Sequence, residues 1–374
     1  MRILVAPDKF KRSISATDAA QAIARGWRQA DPDAELVLAP IADGGEGFAA
    51  VLCEALGGEW IRRTAADPLG REIEVRYAWI EEQKLAIIDL SEASGLSRLE
   101  DYERDPLRAT TFGTGQLIRD AAERGARRIL VGLGGSATTD GGIGLATALG
   151  FETLTSDGEE LAPLPENLPA LTRIRSRNAI DLPEIIAAAD VEIPLLGARG
   201  AAAVFGGQKG ADAKTIAALE IGLESLADVV TSEFECDFRD VPGAGAAGGA
   251  GFGLMSFCGA KMQAGFSVVA EALQLEEQIA ASDLVITGEG RIDAQTLAGK
   301  GPAGVARLAR KHARPVLAFA GSVAPEPALD PTFDAIFPIV DEPMSLDCAL
   351  SRGAELLERA STRAARLFLL KSSP

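Results

Sequence analysis

The side chains best suited to chemistry in this 374-residue sequence sit in short loops beside glycines. Near the N-terminus, Asp8-Lys9-Phe10-Lys11-Arg12-Ser13 follows a short apolar run. In so acidic a chain, three cations in four positions make either a local trap for an anion or a solvated basic loop. Ile41–Gly47 (IADGGEG) sets Asp43 and Glu46 on a tight turn, and LVITGEGRIDAQT does the same with Glu289, Arg291 and Asp293. Singly, such acids form turns or caps. Together, at neighbouring strand ends, they can share a hydrated magnesium ion or bind the hydroxyls of a sugar-like molecule.

Two glycine-rich runs follow. GLGGSATTDGG, Gly132 to Gly142, succeeds an apolar strand and precedes a small-residue helix. Glycines let consecutive backbone N–H groups face one concavity, which favours an anion. Gly134, Gly135, Ser136, Thr138 and Thr139 are the candidate phosphate donors, and Asp140 is placed to reach magnesium. GGQKGAD sets Lys209 between glycines as a further anion ligand. GAGAAG at Gly243–Gly248 matches the dinucleotide fingerprint in letters only, because Pro242 precedes it and Asp237-Phe238-Arg239-Asp240 makes a poor central strand. It is expected to be a helix entry lining a cleft. No Walker A motif occurs: Lys300 follows Gly299, but Gly301 stands where the hydroxyl belongs.

Composition removes other chemistries. The single histidine, His312, lies near the end of a helix closed by Pro315, where a surface role is expected. A Ser-His-Asp triad or a multi-histidine metal site is therefore not expected. Any general base is a carboxylate or a lysine, and any metal is held by oxygen. A formal net charge of −17 argues against nucleic acid or an anionic membrane as partner. The four cysteines form no Cys-x-x-Cys pair, and no apolar stretch approaches a membrane span or a secretory leader. A reduced cytoplasmic protein is expected, and a homo-oligomer is as compatible with this composition as a monomer.

Strand–loop–helix alternation must position these loops. It spans residues 1–62 and returns over 275–374, and it predicts a parallel sheet with its loops at the strand C-terminal ends. Trp60–Thr64, Arg71–Ile80 and Lys84–Leu90 are extended runs joined by short turns, which predicts antiparallel pairing and a change of domain near residue 62. Residues 63–274 then form an inserted mixed α/β domain, and Leu346–Leu370 a single closing helix. The expected fold is α/β with two domains, one built from both chain ends, and the active site in the cleft between them.

In order, APDKFKRSISA, PIADGGEGF, TTFGTGQLI, GLGGSATTDGGIG, AVFGGQKGA, GAGAAGGAG and ITGEGRIDAQTLAGK resemble the signature blocks of bacterial glycerate kinases of the first class. Lys9, Arg12, Gly207 and the Glu192-Ile193 pair depart from the family's usual residues. The resemblance covers nearly the whole chain. It implies a flavodoxin-like (Rossmann-like) domain and transfer of the ATP γ-phosphoryl group to D-glycerate with Mg2+, giving 2-phosphoglycerate or 3-phosphoglycerate in glycerate and glyoxylate catabolism. In that reading Gly134–Thr139 and Lys209 cradle ATP. Asp190 or Asp293 takes the substrate proton. Asp43, Asp140, Asp190 and Glu289 are the metal candidates. Asp8, Asp43 and Glu46 bind substrate, with Lys11 and Arg291 as the carboxylate clamp. A nicotinamide-dependent hydroxy-acid dehydrogenase and a non-catalytic sugar-acid sensor are the rival readings.

Overall fold

Runs of three to nine residues become thirteen strands in the computed structural model, which describes residues 1–370 apart from 179, 298–300 and 330, and the side chains at 295 and 328. The last residues of the ITGEGRIDAQTLAGK block, Lys300 included, thus lie outside the described residues. In chain order the strands are β1 (Arg2–Val5), β2 (Glu35–Leu38), β3 (Glu59–Ala66), β4 (Glu72–Ile80), β5 (Leu85–Asp89), β6 (Arg128–Gly132) and β7 (Phe151–Leu154). They continue with β8 (Arg173–Ser176), β9 (Glu184–Ala188), β10 (Lys261–Gln263), β11 (Leu284–Ile292), β12 (Val316–Val323) and β13 (Ala335–Pro338). The chain falls into two compact units, one of residues 1–43 with 266–374 and one of residues 44–265.

The terminal unit carries a five-stranded sheet in the order β13-β12-β11-β1-β2 with every pair parallel. Counted within the unit, that is the 2-1-3-4-5 order of flavodoxin-like sheets. Parallel strands are covered on both faces, which is why Ile3, Val5, Leu284, Ile286 and Phe319 are all buried. Trp27, Leu356 and Leu357 pack on them from helices Ala16–Arg28 and Gly353–Leu370. Those helices approach closely at Gly26, where an added Cβ would lie 2.1 Å from the carbonyl oxygen of Glu358. Thr362 Oγ1 donates to the freed Gly26 carbonyl at 2.9 Å.

The expected closing helix is two helices, Leu346–Ser351 and Gly353–Leu370. The first turns out of αR at Arg352 (φ −103°, ψ 12°). Ser13 packs where a Cβ on Gly353 would be, 2.1 Å from the Ser13 hydroxyl, so the second helix starts at a residue with no side chain.

The inserted unit has a six-stranded sheet, β10-β9-β6-β5-β4-β3, antiparallel over β3, β4 and β5 and parallel onward. A separate hairpin pairs β7 with β8. Its core gathers Tyr77, Trp79, Leu117, Ile129 and Phe252. The units meet in sequence at 43/44 and 265/266, not at 62/63 and 274/275. Two contacts explain the first shift. β3 pairs along its length with β4, from Glu59 opposite Trp79 to Ala66 opposite Glu72. Helix Phe48–Ala55 is fastened to β5, whose Asp89 accepts hydrogen bonds from Gly47 N (3.0 Å) and Ala49 N (2.9 Å).

Candidate active site

A cavity of about 350 Å3 opens at the C-terminal ends of β1, β11, β12 and β13 in the terminal unit. Six of the expected site residues line it: Asp8, Lys11, Asp43, Glu289, Arg291 and Asp293. The Asp8 loop is seated on β11 through Asp8 N to Gly288 O (2.8 Å) and Thr287 Oγ1 to Ala6 O (2.8 Å). It then folds back on itself at Phe10 N to Ile14 O (3.0 Å), with Arg12 in the left-handed region at φ 64°. This turn keeps Lys9 and Lys11 at the cavity wall.

Charge is crowded here. Asp8 is 5% exposed. Burial, reinforced by the negative charges of Asp43 and Glu289, pushes its carboxyl up to about 7 against the pull of Lys9. Lys9 Nζ lies 3.7 Å from Asp43 Oδ1, and Arg291 Nε lies 3.0 Å from Asp293 Oδ2. Thr296, which sequence reasoning passed over, joins two of the acids. Its buried hydroxyl donates to Glu289 Oε1 at 2.6 Å and accepts from Asp293 N at 3.1 Å. The signal was available as a hydroxyl three residues after Asp293, the spacing at which a side chain meets the backbone of a helix's first turn.

Among the described residues, no three acidic, histidine or cysteine side chains converge as a ready-made metal cage. Magnesium seldom needs one, since it is usually held by one or two carboxylates, substrate phosphates and waters. Burial raises Asp8 first, and the repulsion from Asp43 and Glu289 that adds to it is what a divalent cation beside them would relieve, so the donor set fits the ion.

The other expected residues lie in the inserted unit, and for several of them the structure revises the role. Asp140 is fully buried with its acceptor positions in use. It accepts from Thr111 N (2.8 Å), Thr111 Oγ1 (2.8 Å), Gly142 N (3.0 Å) and Gly144 N (3.2 Å). Burial raises its carboxyl pKa against those hydrogen bonds. Asp140 is a staple between the Gly132–Gly142 loop and the Thr110–Thr111 turn, not a magnesium ligand. Lys209 is 2% exposed. Its ammonium donates inward to Ser136 Oγ (3.0 Å) and Thr138 O (2.5 Å), and burial lowers its pKa to about 7. It is a strut beneath the loop instead of a ligand delivered by one. The Thr138 and Thr139 hydroxyls are wholly buried, and only Gly134, Gly135 and the edge of Ser136 reach the loop surface.

The glycines of that loop answer largely to packing. A Cβ on Gly134 would come within 2.3 Å of Gly45 Cα, and one on Gly142 within 2.8 Å of Gly253 Cα. The GAGAAG run is the other half of the contact. A Cβ on Gly248 would sit 1.9 Å from Thr138 O, and Ala247, Gly248 and Gly249 all take left-handed backbone angles. The run is buried against the loop, so it neither lines a cleft nor forms a strand-to-helix dinucleotide turn. Asp190, just past β9, accepts from Gly265 N at 2.7 Å, and Glu46 is exposed on its turn.

A flavodoxin-like sheet whose strand ends hold this mixture of acids and cations marks an α/β enzyme that acts on small anionic molecules. The chain belongs to the glycerate kinase family: that family's profile, described as the Glycerate kinase family, matches residues 3–369. It is 42% identical to the glycerate kinase of Halalkalibacterium halodurans and 40% identical to the glycerate 2-kinase of Escherichia coli (strain K12). Each alignment covers 96% of both chains. A crystal structure described as a candidate glycerate kinase 2 from Salmonella typhimurium LT2 superposes with a TM-score of 0.89 at 38% identity, covering 100% of this chain and 99% of that one.

Proposed function

We infer that this chain transfers the γ-phosphoryl group of ATP to a hydroxyl of D-glycerate, and that the product is 2-phosphoglycerate. The observation that carries the activity is a family match over nearly the full chain, joined to a strand-end cavity of crowded acids and cations. The choice of position draws support from the 40% identical relative that is a glycerate 2-kinase.

Phosphoryl transfer asks an enzyme mainly to hold reactants in line and to offset developing charge. Lys11 and Arg291 serve the anionic groups, the glycerate carboxylate among them, each charge-assisted contact contributing about 1.5–3 kcal/mol. Asp43 and Glu289 would hold magnesium, whose charge would offset that of the phosphates. Asp293 or Asp190 accepts the proton of the attacking hydroxyl. In the inserted unit the Gly135 and Ser136 amides are candidate phosphate donors, since the Gly134 amide already donates to Gly44 O (3.2 Å), and Lys209 fixes the crest from below.

The deciding experiment follows ADP release on adding D-glycerate to protein, ATP and Mg2+, with phosphorus NMR of the product. Glycerate-dependent ADP and a phosphate on carbon 2 are expected. No glycerate-dependent ADP overturns the activity, and phosphate on carbon 3 overturns only the position.

A further inference from the structure

The terminal cavity has two unlike kinds of lining. Its acids and cations come from the loops after β1 and β2, the last residues of β11 and the turn that follows it. The apolar wall is Phe10, Ile339, Val340, Leu346, Ala349 and Leu350, from the Asp8 loop, the end of β13 and the helix Leu346–Ser351. Glycerate carries a polar group on every carbon and has no surface to match that wall. About 350 Å3 is also generous for a three-carbon acid, lying within the roughly 300–1,000 Å3 of sites for drug-sized ligands.

We propose that this apolar wall receives the adenosine end of ATP, with the phosphate chain running toward Lys9 and Lys11. This rests on the kinase reading above and adds which unit binds the nucleoside. A purine offers a flat, uncharged surface that aliphatic side chains cover well, so the acidity of the chain is no obstacle. Sheets of this order bind ligands outside their strand C-terminal ends, which is where this cavity opens. The wall is built in advance. Ser13 Oγ donates to Leu350 O at 2.6 Å and fills the space beside Gly353, which ties the helix to the Asp8 loop. Such preorganisation lowers the ordering cost of binding. Leu346 is 66% exposed at the cavity lip, an apolar side chain with more to gain from a ligand than from the fold. In the inserted unit, by contrast, the Thr138 and Thr139 hydroxyls and the Lys209 ammonium are turned into the interior. That leaves the glycine-rich loop few side-chain donors for a nucleotide.

Two variants test this, Leu346→Glu at the lip and Ala349→Trp within the wall, each first compared with wild type by thermal melting. In the ADP-release assay both should raise KM for ATP by about tenfold or more while KM for glycerate stays within about twofold. Adenosine, which has no phosphates, should give saturation-transfer NMR signals with wild type that weaken in both variants. If KM for glycerate rises and KM for ATP does not, the wall belongs to the acceptor and the proposal is overturned. Equal adenosine signals in all three proteins also overturn it. Absent turnover in wild type would sink the kinase reading, whereas the adenosine signals would still decide the fate of the wall.

Discussion

The Lys209 ammonium donates to the carbonyl oxygen of Thr138 at 2.5 Å, from a side chain almost closed to solvent. A lysine expected from sequence to be an anion ligand set between glycines is therefore a buried support of the Gly132–Gly142 loop. Its pKa, lowered to about 7 by burial, links that support to pH. Between about 7 and the ordinary lysine value near 10.5, the unfolded chain holds a proton that the folded chain has released, so stability rises with pH. Urea unfolding of wild type and Lys209→Met should show a gap in favour of wild type that widens from about pH 6.5 to about pH 9.5. A flat or narrowing gap would contradict the burial argument.

Asp8 has the opposite sign. Its folded carboxyl titrates at about 7 against the ordinary 3.8, so between those values the native state binds the extra proton and stability falls as pH rises. At pH 8, taken as roughly one unit above that value, Asp8→Asn should be more stable than wild type by about 1–4 kcal/mol, and slower in turnover. Added Mg2+ should narrow the stability gap, because the ion favours the charged form that wild type retains. Calorimetric melting of both proteins, with and without the ion, reads each effect.

The two candidate bases are separable by kinetics. Replacing the group that takes the hydroxyl proton should lower kcat by roughly 10²–10⁴ with an unchanged melting temperature. Asp293→Asn and Asp190→Asn, assayed at saturating ATP and glycerate, should divide into one such variant and one mild variant. Near-normal kcat for Asp293→Asn would remove it from the role.

Asp140→Ala should act on the fold. Four well-made hydrogen bonds to a buried carboxylate vanish with it, and the loss is expected to be about 2–4 kcal/mol in urea unfolding. The Mg2+ concentration giving half-maximal rate should not move in the fraction that folds. A large shift in that concentration would restore Asp140 as a ligand.

Much of this molecule is written locally. Short apolar runs and glycine turns specify the strands of both sheets and place Asp8, Lys11, Asp43, Glu289, Arg291 and Asp293 at or just past the strand ends that one parallel sheet gathers. The ordered blocks specify the family, because seven short matches in sequence constrain each other far more than any one alone. What the sequence does not disclose is which way a polar side chain faces. Asp140, Thr138, Thr139 and Lys209 have the composition of a phosphate site, yet backbone-to-backbone packing of Gly134 on Gly45 and Gly248 on Thr138 turns them inward. Likewise, the β3–β4 pairing and the Asp89 cap, both contacts between residues distant in sequence, moved the unit boundary from 62 to 43. Burial and long-range pairing are properties of the whole packed chain, so only the tertiary structure could decide them.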